Sequence, residues 1–420
     1  MNSARSLALE ALVRWRKGRE FANSIASDLM ACSSLGMADR AFTLEIFYGV
    51  LRNLTLLDFW IDRLRSDRLE AAARDLLRLG LYQIMVLEVA PHAAVFETVE
   101  LAPARTRSLI NAVLRRALRE KNSLTNLANT QPIAVRYSQP AFLIEKWVRQ
   151  FGEEATLEFC RWNNQPALVY ARVNGLKVSI EEFLQRYPES ALVSHSVNFV
   201  TLSHPAAAAQ GGDCYVQDPS TAIACELLGP QPRERVLDAC AAPGGKAAYL
   251  AEMMSNEGTL IAADREESRL QRLRENLVKL GVTNARVVAC DWTNDRSVRA
   301  TGLAEGSFDK ILLDVPCTNT GAMRRRVDVR WRLRPDDFAR MAEEQLTILR
   351  AVAPLLKPGG SLVYSTCSVE PEENDEVVRT FLAQRSEFCL KTCRESLPFR
   401  DHFDGAFAAH LLHRGEGLHH

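Results

Sequence analysis

From about residue 216 onward the chain alternates short apolar runs with stretches of helical spacing, and this alternation constrains the fold more than any other feature. VLDAC (236–240), TLIAAD (259–264), ARVVAC (285–290), KILLDV (310–315) and SLVYST (361–366) read as strands. Segments 245–254, 265–280 and 336–356 read as the helices between them. Strands apolar on both faces need helices on both faces, so the expected domain is a doubly wound, mostly parallel sheet. Ligands of such open sheets bind beyond the carboxyl ends of the strands.

That edge carries chemistry. VLDACAAPGGK (236–246) runs from a strand through a Pro-Gly-Gly turn into a helix at Gly245-Lys246, where backbone amides and a helix N-terminus can face a ligand. It is neither a Walker loop nor GxGxxG. Asp264 closes the next strand twenty residues after Gly244, the place of a ribose-binding carboxylate, and Asp291 follows the third. The pattern points to a nucleoside-containing cofactor without naming it.

Two cysteines share the edge. Cys317 stands in the turn Asp314-Val315-Pro316-Cys317, and Cys367 follows SLVYST. One cysteine at a strand end is usually a small buried hydrophobe; two at equivalent ends make a candidate thiol pair. Directly after the first, RRRVDVRWRLR (324–334) holds six arginines and Trp331. Arg324, Arg325, Arg326 and Arg330 are expected to grip phosphates. Trp331 is either a base-stacking ring or a core indole.

The rest of the chain differs in texture. Residues 1–128 are rich in Ala, Leu and Arg at helical spacing and predict six or seven helices. This part is mildly basic, with 18 Lys and Arg against 14 Asp and Glu over residues 1–130, although the whole chain has a net charge of zero. Residues 122–135 are polar and predict a linker, and 136–215 read as a small α/β module. No apolar run is long enough to span a membrane, and no signal-peptide pattern opens the chain. Ten cysteines without a CxxC pair give no metal framework and fit a reducing cytoplasm. The terminal His419-His420 pair is set aside.

CAAPGGK (240–246), DVPC (314–317) and STCS (365–368), in that order, resemble the RNA cytosine-5 methyltransferases. PHAAVFETVE (91–100) and LINAVLRR (109–116) are similar to the NusB-like domain of the members acting on bacterial 16S ribosomal RNA. RYSQPAFLIEKW (136–147), NNQPALVYARVN (163–174) and VQDPSTAIA (216–224) resemble the family's middle module and the entry to its catalytic domain. The resemblance implies a multidomain chain: an all-α NusB-like domain over 1–128, a small α/β RNA-binding module over 136–215, and a Rossmann-like methyltransferase domain over 216–414.

It also implies S-adenosylmethionine as cofactor. Cys240, Ala241, Ala242, Pro243, Gly244, Gly245 and Lys246 would then line its methionine part, with Asp264 at the ribose, Asp291 near the adenine, and Asp314 as a further contact. By the same resemblance Cys367 is the nucleophile, Cys317 assists product release, and Arg172 and Asn174 lie near the RNA. A thiolate adding at carbon 6 makes carbon 5 of cytosine nucleophilic, so Cys367 should ionise in a positive environment. Asp314 could hydrogen-bond the ring nitrogen, a role that a raised carboxyl pKa would suit. Lys246 either orients the methionine carboxylate or caps a helix. The implied partner is 16S ribosomal RNA, with no metal and no membrane, and the implied state is a cytoplasmic monomer.

Val315 replaces the family's usual Ala, Val327 and Gln139 replace common histidines, and DGAFAAHL (404–411) loosens a C-terminal motif. Rival readings are a methyltransferase of transfer RNA or of another ribosomal position, a non-catalytic NusB-like RNA-binding factor, and a small-molecule methyltransferase. The second has no use for two thiols, and the third leaves the first 215 residues without a task.

Overall fold

A computed structural model describes residues 3–194, 196 and 198–414. His419 and His420 lie outside the described residues, as do positions 195 and 197 of the small α/β module. The chain forms two compact units. One comprises Met1–Pro166 with Met323–Arg332, the other Ala167–Ala322 with the chain from Leu333 onward.

The first unit is helical. Ser3 opens its first helix, Ala4–Arg16, by accepting from the Ser6 amide. Apolar stripes from successive helices bury Leu7, Ile46, Val50, Leu77, Ile110 and Leu114 in one core. The expected linker at 122–135 is instead mostly helix, Lys121–Asn129 and Ile133–Arg136. Leu124 and Ala128, one turn apart, are buried, and Trp60 Nε1 donates to the Leu124 carbonyl at 3.1 Å. A narrow apolar stripe suffices there because a neighbouring indole covers it. Val327, from far along the sequence, is fully buried in the same core.

The second unit holds two sheets. In the smaller, β1 (Tyr170–Val173), β2 (Ala191–Leu192), β3 (Phe199–Thr201) and β4 (Cys214–Val216) lie in the order β2-β3-β1-β4, all antiparallel. Phe183, on the helix Ile180–Arg186, fills its core against Ala171, Val173 and Val200.

The larger sheet contains β5 (Arg235–Asp238), β6 (Thr259–Asp264), β7 (Ala285–Ala289), β8 (Phe308–Asp314), β9 (Leu356–Thr366), β10 (Phe388–Ser396) and β11 (Ala406–His413). Their order is β10-β11-β9-β8-β5-β6-β7. The run β9-β8-β5-β6-β7 is parallel, and β11 and β10 continue it antiparallel. Alternate side chains enter opposite cores: Leu237, Ile311, Leu313 and Tyr364 on one face, Val236, Leu312 and Val363 on the other. This is the doubly wound sheet expected from the alternation. The expected helix 336–356 ends at Val352, since Pro354 has no N–H to continue it. The order reverses between β5 and β8, so the carboxyl ends of β5, β6, β8 and β9 surround one switch point.

Candidate active site

The loop after β5 approaches that switch point closely. Gly244 has φ +109°, a conformation reserved for glycine, and it caps the helix Gly245–Met253. A Cβ on Gly245 would lie 2.4 Å from the Tyr215 ring. The loop is pinned from β6 and the following helix. Asp264, buried, accepts from the Ala242 amide at 3.1 Å and the Arg265 amide at 2.9 Å. Asn276 donates to the Pro243 carbonyl at 2.8 Å, and Arg269 to that of Ala242 at 2.9 Å. Asp264 thus fastens the loop while lone pairs on its carboxylate remain for a ligand. Asp291 accepts from the Thr293 amide at 3.0 Å and the Thr293 hydroxyl at 2.7 Å, closing a tight turn after β7.

Charges of both signs sit across the cleft. Lys246 Nζ lies 2.8 Å from Asp314 Oδ2, and Ser365 donates to Asp314 Oδ1 at 2.8 Å. Burial alone would lower the Lys246 ammonium, but the Asp314 carboxylate holds it above the ordinary lysine range. Asp238, at the end of β5, is pushed up to about 8 by burial and then by the Asp314 charge. Small residues, a glycine-lined turn, strand-end acids and the Lys246–Asp314 pair suit a ligand that joins a nucleoside to an α-amino acid.

The two candidate thiols meet. Cys317 Sγ and Cys367 Sγ are 3.3 Å apart without a disulfide between them, and both cysteines are partly accessible. Cys367 Sγ donates to Asn319 Oδ1 at 3.2 Å, while Asn319 Nδ2 donates to the Cys317 carbonyl at 2.7 Å. Asn319 holds this pose at φ +59°, uncommon outside glycine. Cys317 is pushed well above the usual thiol range, first by its hydrogen bond with Cys367 and then by burial. Lys246, paired with Asp314, also interacts electrostatically with Cys367. Cys240 is raised strongly by burial and the surrounding carboxylates, which leaves it a neutral lining residue.

The expected RNA contacts require correction. Arg172 is fully buried, ion-paired with Glu252 and stacked 4.5 Å over the Tyr249 ring. Asn174, also buried, donates to the Gly212 and Leu280 carbonyls at 2.8 and 2.9 Å. Both are structural ties within the second unit. In the first unit, Arg324 is buried, stacks 4.0 Å over Trp162 and donates to the Pro166 carbonyl at 2.6 Å. Arg330, fully buried, donates to Asn164 Oδ1 at 2.6 Å and the Asn163 carbonyl at 2.9 Å. Trp331 Nε1 donates to the Leu51 carbonyl at 2.8 Å, which makes it a packing indole. Burial of Val327 and Val329 draws the flanking arginines inward, where carbonyl oxygens and an aromatic ring satisfy them. Arg325 is half-buried and Arg326 is exposed.

Sequence reasoning passed over Asp238, Asn319, Ser365 and Glu373. Asp238 and Ser365 stood inside quoted motifs at strand ends, a position that could have singled them out. Asn319 and Glu373 gave no signal beyond a loop asparagine and an acidic run.

Fold and site together define a nucleoside-cofactor transferase with a thiol pair. Residues 225–412 match the family described as 16S rRNA methyltransferase RsmB/F, residues 2–119 the NusB family, and residues 139–202 the ferredoxin-like domain of RsmF/B-like methyltransferases. The probable ribosomal RNA small subunit methyltransferase B of Bacillus subtilis is 34% identical over 92% of this chain and 89% of its own length. The ribosomal RNA small subunit methyltransferase B of Cronobacter sakazakii is 35% identical over 89% of this chain and 90% of its own. The crystal structure of PH0851 superposes with a TM-score of 0.79 at 25% identity, over 98% of this chain and 99% of that one. A methyltransferase homologue from Pyrococcus horikoshii gives 0.58 at 29%, over 67% and 97%. The chain belongs to the RsmB/F family of 16S rRNA methyltransferases, and S-adenosylmethionine is its cofactor.

Proposed function

We propose that the chain methylates carbon 5 of a cytosine in 16S ribosomal RNA through a covalent adduct with Cys367. The observation that carries this reading is the pair of sulfurs 3.3 Å apart beyond the ends of neighbouring parallel strands β8 and β9. S-adenosylmethionine supplies the methyl group. Around it, Cys240 to Lys246 would face the methionine part, Asp264 the ribose and Asp291 the adenine. Lys246 and Asp314 would balance the carboxylate and ammonium of the amino-acid end.

Cys367 is the sulfur suited to attack. Cys317 keeps its proton well above the usual thiol range, and its sulfur lies within hydrogen-bond reach of Cys367; a thiol that donates to a neighbouring thiolate stabilises it. The Cys367 thiolate adds to carbon 6 of a flipped or single-stranded cytosine, and the ring electrons then take the methyl group at carbon 5. Asp314 would hydrogen-bond the ring. Removal of the carbon-5 proton by a base acting through Cys317 allows the Cys367–carbon bond to break. The names of the relatives carry ribosomal small-subunit RNA as the substrate.

Cys367→Ala should abolish methyl transfer, whereas Cys317→Ala should accumulate a protein–RNA adduct visible on a denaturing gel. Activity persisting in Cys367→Ala, or normal turnover in Cys317→Ala, would sink these roles. Bisulfite mapping of 16S RNA from a deletion strain identifies the cytosine, and an unchanged map would refute the substrate.

A further inference from the structure

Cys317 lies three residues beyond β8 and Cys367 directly follows β9, so the sulfur spacing depends on how the two loops are held. One buried carboxylate joins them. Glu373 lies fully buried in the turn Pro371–Glu373. Its Oε1 accepts from the Thr318 amide at 2.9 Å and from Gln345 Nε2 at 3.0 Å. Its Oε2 accepts from the Ser368 hydroxyl at 2.5 Å and from the Thr318 hydroxyl. Thr318 and Ser368 are the residues next to the two cysteines. Gln345 also donates to the Pro316 carbonyl at 2.9 Å, and the Tyr364 hydroxyl donates to the Glu373 carbonyl at 2.6 Å.

Burying a carboxylate is costly unless its acceptor sites are filled. Here four donors fill them, and among the described residues Glu373 forms no ion pair. An apolar side chain could fill the space, but it could not hold two loops in register. We propose that Glu373 is a positioning residue that clamps the Cys317 and Cys367 loops together and so sets the spacing and aim of the two sulfurs. This rests on the thiol mechanism proposed above and deepens it.

Glu373→Gln keeps the shape but turns part of the acceptor surface into a donor. Ser368→Ala removes the Cys367-side arm, with the Ser368 hydroxyl's contacts to Thr318, Thr320 and the Glu370 amide, and leaves the carboxylate in place. The first readout is closure of the Cys317–Cys367 disulfide by diamide, an azo compound that takes two electrons and two thiol protons to become its hydrazine. Linked peptides are quantified by mass spectrometry. The second readout is kcat beside the KM for S-adenosylmethionine, with thermal melting as the check of folding.

In Glu373→Gln, disulfide closure should slow by about 10-fold and kcat fall by about 100-fold, the usual consequence of misplacing reacting groups by an ångström, with KM within about twofold. Ser368→Ala should lie between wild type and Glu373→Gln in both. Wild-type disulfide closure or wild-type kcat in Glu373→Gln overturns the proposal, and Ser368→Ala decides in the same way should the first variant not fold. Disulfide closure needs no methyl transfer, so it tests the clamp even if Cys367→Ala proves active and the mechanism itself fails.

Discussion

At the end of β5, Asp238 is deprived of water and faces the Asp314 carboxylate, which together lift it from 3.8 to about 8. Linkage fixes the sign of the consequence. Between about pH 4 and pH 8 the unfolded chain has released this proton while the folded chain still holds it, so stability falls as pH rises through the window. Above about pH 8 the contribution is constant, because both states are ionised. Asp238→Asn removes the titration with little change of shape. Its melting temperature should lie close to wild type near pH 4 and exceed it by several degrees near pH 8, for a difference on the order of a few kcal/mol. Calorimetry of the cofactor-free protein at the two pH values checks this. A shift of the same size at both would mean that Asp238 does not titrate in that range.

Single elements give the cleft its shape, and the turn between β5 and its helix is the most demanding. Gly244→Ala places a Cβ at φ +109° and 2.9 Å from Leu273 Cδ1, so the helix start must move. Such strain costs about 1–3 kcal/mol. S-adenosylmethionine affinity should fall at least about tenfold by calorimetric titration, and an unchanged Kd would show that the turn does not set the ligand's seat. This element was legible in sequence, because Pro-Gly-Gly after an apolar strand has few other uses. So was the thiol pair, since strand-end position is a property of order along the chain. What escaped reading depends on neighbours distant in sequence. The helix Lys121–Asn129 is covered by Trp60, and Glu373 collects donors from residues 318, 345 and 368. Composition marks arginine as a surface residue, so the burial of Arg172, Arg324 and Arg330 could not be seen in their letters.

At the scale of the whole chain, the first unit is not a continuous stretch, because Met323–Arg332 belongs to it across more than 150 intervening residues. Those ten residues supply buried Val327, and Asp328 accepts from the Ala22 amide at 2.9 Å. Arg330 decides whether the segment is scaffold or RNA contact. As scaffold, Arg330→Ala leaves a cavity and unmatched acceptors at Asn163 and Asn164, a loss of about 3 kcal/mol. Hydrogen exchange should then accelerate across the helix Glu153–Asn164, while amides of β5, β8 and β9 keep their protection. A phosphate contact predicts the opposite pattern: unchanged exchange, and a salt dependence of RNA binding shallower by about one unit in the logarithmic slope. Full burial and three hydrogen bonds to protein oxygens favour the first outcome. The second would return this arginine to the RNA surface.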